Sequence, residues 1–243
     1  MGDRMSSRKI RWLMWSGSLG AAVLFAGDML FYGEWGSARL WSHEYFLSMM
    51  AKVAPWRLRL GSITGPVGVG FLLLGAVGLW FCCRRSLPWL AMVMLASMCI
   101  MELFTLLQHG IFGPMGFVIR SCGHNSDAVA QVLKLDSTFV SLMAPFAYVY
   151  AAIWIFLTLR RQSGVPRWTV LLVPLITNRL EKAAFWVPAP LGLPLWDGWS
   201  NIVMASWFAV LALTWRDKVI ETRVAESAES ESIGSAKPVG SIL

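Results

Sequence analysis

Apolar residues in this chain come in long runs, not in the alternation of half-buried strands. A run of about 20 mostly apolar residues spans the hydrocarbon of a bilayer at 1.5 Å rise per residue. The pattern predicts six spans, over residues 12–32, 63–81, 89–109, 137–159, 168–186 and 199–215. The fifth is interrupted by Pro174 and by Asn178-Arg179-Leu180-Glu181-Lys182, so its outer half is too polar to face lipid. Two shorter patterns lie between the runs. Ser42 precedes Phe46, Met49, Met50 and Val53, and Ser126 precedes Val129, Val132 and Leu133. Each reads as a capped short helix with one apolar face, lying along the membrane surface and forming part of a lid. The expected fold class is all-α: a polytopic membrane bundle of about six transmembrane helices with two short interfacial helices on the outer side.

The remaining connections sort by charge. Short turns carry Arg84-Arg85 and Arg160-Arg161 with Arg167. The N-terminal stretch adds Arg4, Arg8, Lys9 and Arg11, and the end of the last run adds Arg216, Lys218 and Arg223. Thirteen of the 21 lysines and arginines fall on this side and eight on the other. Positive charge in short loops marks the cytoplasmic face, so both termini are expected inside. Arg57 and Arg59 stand against this count. Residues 1–11 then form a basic cytoplasmic N-terminus and 12–216 the transmembrane domain. Residues 217–243, poor in apolar residues, form a disordered cytoplasmic tail. Pro188-Ala189-Pro190-Leu191-Gly192-Leu193-Pro194 reads as a stiff, non-helical turn ahead of the last span.

Small residues set the helix faces. Gly61, Gly65, Gly68 and Gly75 form a stripe suited to close helix packing. Gly17, Ala21 and Asp28 share a face, which turns Asp28 into the bundle.

Composition agrees with the pattern. The chain is 56% apolar and 14% charged, where soluble domains are about 25% charged. The 14 Trp suit the membrane interface. The net charge of +7 sits in small clusters at the ends of apolar runs. No nucleic-acid partner is therefore expected; the expected partners are membrane lipids and an apolar or anionic small molecule. Cys82, Cys83, Cys99 and Cys122 make neither a zinc spacing nor a disulfide framework. No cofactor is expected.

A charge at bilayer depth costs about 2.5–3.5 kcal/mol on insertion scales. Here the charges are gathered toward one side: Asp28 and Glu34, Glu102, Gln108 and His109, Asp136, the cluster at 178–182, then Asp197 and Asn201. Three readings fit this one-sidedness. Ion pairs of Arg179 or Lys182 with Glu102 or Asp28 would tie helix ends together. An acid/base site would use Glu102, Asp28 and His109 as catalytic groups in a water-accessible cavity. A binding or transport pocket would hold an anionic group on Arg179 and Lys182, with Asn178, Glu181 and Asn201 beside them. Glu102, Thr105 and His109 share a face, as a proton relay or a polar seam would. One metal shared by Glu102 and His109 is disfavoured, because seven residues rise about 10.5 Å and ligands sit about 2 Å from the ion. His43-Glu44 and His124 have no metal spacing either, so no metal site is expected.

The run Gly27-Asp28-Met29-Leu30-Phe31-Tyr32-Gly33, together with Pro188-Ala189-Pro190-Leu191-Gly192 and the later Asn201, resembles a family of uncharacterised bacterial membrane proteins. The resemblance implies a six-span protein of a bacterial inner membrane over most of the chain, and supplies no activity. The functional expectation is an integral membrane protein with an outward-facing polar site, an enzyme acting on a lipid or isoprenoid-like substrate by acid/base chemistry. The alternatives are a small transporter or lipid-binding protein, and a structural subunit without catalysis. The halves of the chain show no self-similarity, which counts against a transporter built on inverted repeats.

Overall fold

The computed structural model describes residues 6–33, 35–123 and 126–216. The tail at 217–243, Glu34 and His124 lie outside the described residues, as do Met1–Met5. Among the described residues the chain is helical with no strand. Four helices are long and apolar enough to cross a membrane: α1 (Ser7–Tyr32), α3 (Pro55–Cys83), α4 (Pro88–Cys122) and α5 (Asp127–Leu159). Between α1 and α3 lies α2 (His43–Lys52), and after α5 come α6 (Pro174–Thr177), α7 (Gly192–Asp197) and α8 (Trp199–Thr214).

The two ends of the bundle are each tied by hydrogen bonds. At the basic end Arg11 donates to the Trp215 carbonyl at 3.1 Å, Ser86 to that of Gln162 at 3.3 Å, and the Arg216 amide to that of Gly164 at 3.0 Å. At the opposite end Arg57 donates to the carbonyls of Met29, Leu30 and Gly33, and Arg120 to that of Val53. Six segments run between these ends: α1, α3, α4, α5, the stretch 167–186, and α8. Neighbours pack in the order α8, α1, α3, α4, α5, and residues 167–186 close the ring between α5 and α8.

Glycines allow the closest approaches. A Cβ on Gly20 would stand 2.5 Å from the Gly68 carbonyl oxygen, and one on Gly75 would stand 2.7 Å from the Gly17 Cα. The α3 stripe is thus the seam against α1, where bare backbones meet as in other membrane helix pairs. Two apolar clusters flank the middle of the bundle. One holds Leu24, Leu72, Met94, Trp154 and Trp207; the other holds Phe31, Phe46, Met50, Leu58 and Met115 near the opposite end.

Several expected boundaries differ. The helix ending at His109 in the sequence reading continues to Cys122, for 35 residues. Gly113 and Gly116 pack against Ser62 and Leu58 of α3, and this contact carries the helix past Gly110 and Pro114. The second interfacial helix does not exist as a separate element. Ser126 does cap it, accepting from the Val129 amide at 3.4 Å, but no Gly or Pro follows before Pro145, and the helix takes in that proline and runs on to Leu159. The first interfacial helix is present: Ser42 accepts from the Tyr45 amide, and Phe46, Met49, Met50 and Val53 are buried. Residues 167–186 form no continuous helix. They make a tight 3₁₀ stretch (Arg167–Leu172), then α6 starting on Pro174, then a second 3₁₀ stretch (Asn178–Trp186). Pro174 lacks the donor that would join the first two. The turn expected to be non-helical holds α7, with Pro194 inside its first turn, where a missing amide hydrogen costs nothing. The last helix has 16 residues, fewer than a full hydrocarbon crossing.

Candidate functional site

Where the two apolar clusters meet, polar side chains from α1, α4, α5, the broken segment, α7 and α8 surround a cavity of about 370 Å³. Asp28 enters it from α1, on the face shared with Gly17 and Ala21, and is 4% exposed. Its Oδ2 accepts from Asn201 Nδ2 at 2.6 Å, and its Oδ1 lies 3.8 Å from His109 Nε2. His109 packs beside the rings of Phe31 and Phe112, with centroids 6.5 and 6.2 Å away, and those two rings touch each other at 5.6 Å. Its backbone is pressed against α3: a Cβ on Gly65 would stand 2.7 Å from the His109 Cβ. The imidazole Nδ1 has no partner.

Glu102 lies two turns closer to the basic end on the same helix. It is 1% exposed, and neither carboxyl oxygen has a hydrogen-bond partner among the described residues. Leaving such a group unsatisfied costs several kcal/mol, so a ligand, water or proton must answer it. Around it the wall is mixed. Leu24, Leu72, Met101, Met143 and Met204 give an apolar side, and Gln108, Tyr150, Asn178, Ser200 and Asn201 a polar one. Thr105 does not bridge Glu102 to His109. Its hydroxyl donates to the Met101 carbonyl at 3.2 Å, within its own helix, and lies 3.4 Å from the Met143 sulfur.

A second cavity of about 540 Å³ opens toward the end where α2 lies. Asp136, Glu181 and Asp197 line it with His43, and Phe46 of α2 forms part of its wall. Asp197 and Phe112 belong to both cavities, so they form the partition between vestibule and chamber. The Asp197 carboxyl is pushed up to about 8, chiefly by burial and then by the carboxylates of Asp28 and Glu181. Among the described residues no lysine or arginine lines either cavity.

Of the residues singled out in the sequence, Asp28, Glu102, His109, Asn178 and Asn201 surround the chamber, and Glu181 faces the vestibule. Arg179 and Lys182 reach neither; both are exposed. The cause is helical pitch. With 3.6 residues per turn Asn178, Glu181 and Lys182 would share a face. With three per turn, Asn178, Glu181 and Ala184 stack on one face and Arg179, Lys182 and Phe185 on another. Ala184 is buried, which fixes the first face as the inner one. The expected ion pair of Glu102 with Arg179 or Lys182 therefore does not form.

A family model described as a family of unknown function, DUF6796, matches residues 5–218. The chain belongs to this family. The match takes in all six traversing segments and every residue of both cavities. No curated protein and no solved structure matches the chain.

In this DUF6796 member the sequence reading left Asp197, Tyr150 and Ser200 out of the site. Asp197 and Asn201 are four residues apart, a spacing that would have pointed to one face had the Pro-rich run been read as helical. Tyr150 carries no such signal, because its ring packs 6.3 Å from Trp207 like any core aromatic.

Proposed function

We propose that this chain is a six-span protein of a bacterial inner membrane, with both termini cytoplasmic, whose outward-opening chamber performs acid/base chemistry on a lipid or isoprenoid-like substrate. Glu102 is the proton donor and acceptor at the reacting group. The Asp28–His109 pair exchanges protons with outside water through Asp197, while Asn178 and Asn201 orient the substrate. The observation that carries this reading is the buried carboxyl of Glu102, unpartnered on both oxygens and facing a chamber with one apolar wall.

Support for six spans comes from the six traversing segments and from the basic turns gathered at one end. A broken, charged segment is tolerated at membrane depth only where its polar backbone lines protein or water, and residues 174–178 line the chamber at both edges of the break. The polar part of the substrate is a hydroxyl or an amine, not an anion. Asp28, Glu102 and Asp197 face it, and no lysine or arginine among the described residues does. Transport is the weaker reading, because Trp154, Trp207 and Trp215 fill the bundle toward the basic end and are at most 1% exposed.

The test is a screen of the purified protein against membrane lipids and isoprenoid alcohols, read by mass spectrometry. A product formed by the wild type and by Arg179→Ala, and lost in a Glu102→Gln variant of unchanged melting temperature, is the expected result. A lipid bound but unchanged in wild type and variant alike would replace the enzyme with a binding protein.

A further inference from the structure

At the basic end, away from the chamber, a cavity of about 550 Å³ is lined by Arg161, Arg167 and Arg216, with Gly164, Trp168 and Thr214 among its other walls and no carboxylate among the described residues. We propose that this cavity binds the phosphate of an anionic phospholipid, taken from the leaflet at that end.

Most arginines at this end are already engaged. Arg84 stacks over Trp80 and Phe81 at 5.0 and 4.3 Å, and Arg160 over Phe156 at 5.6 Å. Arg11 caps the last helix through the Trp215 carbonyl, and the Arg167 Nε donates to the Leu159 carbonyl at 2.8 Å, which leaves its two terminal nitrogens. The guanidinium groups of Arg161 and Arg216 make no hydrogen bond or ion pair among the described residues.

Arg161 stands where the fold would accept glycine more readily. It follows the C-cap of α5, with its amide bonded to the Thr158 carbonyl at 2.9 Å and the Gln162 amide to that of Leu157 at 2.8 Å. This is the helix-ending motif whose left-handed residue is usually Gly. Arg161 adopts it at φ 58°, a conformation that strains an L-residue with a side chain. The strain places a guanidinium at the cavity instead of a hydrogen atom.

Behind the lining lies Trp215, 1% exposed, whose indole Nε1 has no hydrogen-bond partner among the described residues. That nitrogen lies against Gly164, where a Cβ would stand 2.8 Å from it. Gly164 also has φ 72°, and its carbonyl accepts from the Arg216 amide, so the wall is built from backbone at closest approach. Three guanidinium groups suit the oxygens of a phosphate. A lipid is favoured over free phosphate by what lies beside the cavity. Trp168, Leu171 and Leu213 are 51%, 64% and 69% exposed, an apolar track for acyl chains leading away from the arginines.

Native mass spectrometry of the full-length protein in detergent, with dioleoylphosphatidylglycerol or dioleoylphosphatidylcholine added, tests this. Wild type should retain the phosphatidylglycerol in preference. Arg161→Gly and Arg216→Gln should each weaken retention by about fivefold, the worth of one basic residue near an anionic lipid surface. Arg84→Gln serves as the control and should change nothing. Arg161→Gly should also melt at or above the wild-type temperature, since glycine relieves the strained turn; a residue of merely structural value would not separate binding from stability. Equal retention of the two lipids, or unchanged retention in both variants, overturns the proposal. So does complete displacement of the lipid by millimolar inorganic phosphate, which would make the ligand a free anion.

Discussion

Asp197 and Asn201 show how much a single side chain does at this site. Asp197 has its carboxyl raised from the ordinary 3.8 to about 8. Between those values the native state keeps a proton that the unfolded chain releases. Its contribution to stability is therefore complete below about pH 4, declines across the window, and is lost as pH rises through about 8. The melting temperature in detergent should fall between about pH 5 and pH 8.5 in the wild type and stay flatter in Asp197→Asn. An identical slope in both would remove Asp197 as the titrating group. Asn201 donates to the Asp28 Oδ2 at 2.6 Å, and a hydrogen bond to a charged group contributes about 1.5–3 kcal/mol. Asn201→Leu should destabilise by that order and disturb the chamber. Arg179→Ala, on the exposed face, should stay within about 0.5 kcal/mol of wild type. A larger loss in Arg179→Ala than in Asn201→Leu would reverse the assignment of inner and outer faces in the segment 178–186.

At the scale of elements, legibility followed the regularity of the helix. Asp28, Glu102 and His109 were readable because α1 and α4 keep a constant 3.6-residue pitch, which sets Asp28 on the face of Gly17 and Ala21 and sets Glu102, Thr105 and His109 on one face. Arg179 and Lys182 were misread because Pro174 breaks the pitch, and the tighter coil beyond it turns them outward. The charge ledger along the chain misjudged Arg57 for a different reason: position in sequence does not reveal a cap. Arg57 donates to three carbonyls at the C-terminus of α1, at 2.7, 3.0 and 3.1 Å, and lies where the helix dipole favours a cation. Arg57→Met should therefore lower stability by about 2–3 kcal/mol, the scale of a charge-assisted bond plus carbonyls left bare. Arg59→Met, exposed two residues on, should be near neutral. Thermal melting of the two variants side by side checks this, and equal melting points would mean that the α1 end is held by other contacts.

For the whole molecule, the question is how many times the chain crosses the bilayer, and the answer governs which compartment the chamber serves. Four helices qualify by length and apolarity, and an even number of crossings by these alone would already put the start of α1 and the end of α5 on one side. The stretch 167–186 and α8 do not qualify individually, one for want of regular helix and the other for want of length. Yet the hydrogen bonds place Gly164 and Arg216 at the basic end and Phe185 and Pro190 at the other, where Arg39 and Gly36 bind them. The two weak segments therefore traverse the same depth as α1, shielded by their neighbours. On the proposed reading of six crossings with both termini inside, Cys122 lies outside and the turn at Arg85 inside. Cys122 is exposed, whereas Cys82 and Cys83 are buried and will not report, so a cysteine is best introduced at the exposed Arg85. In a background lacking Cys122, an impermeant maleimide applied to intact cells should miss Arg85→Cys until the membrane is opened. In the otherwise unaltered chain the same reagent should label Cys122 at once. A third cysteine, at the exposed Trp186, decides between four crossings and six: with six it reacts from outside like Cys122, and with four it is protected like Arg85→Cys. Protection at position 186 would move the vestibule's Glu181 wall to the cytoplasmic side, and the outward-opening chamber could not stand.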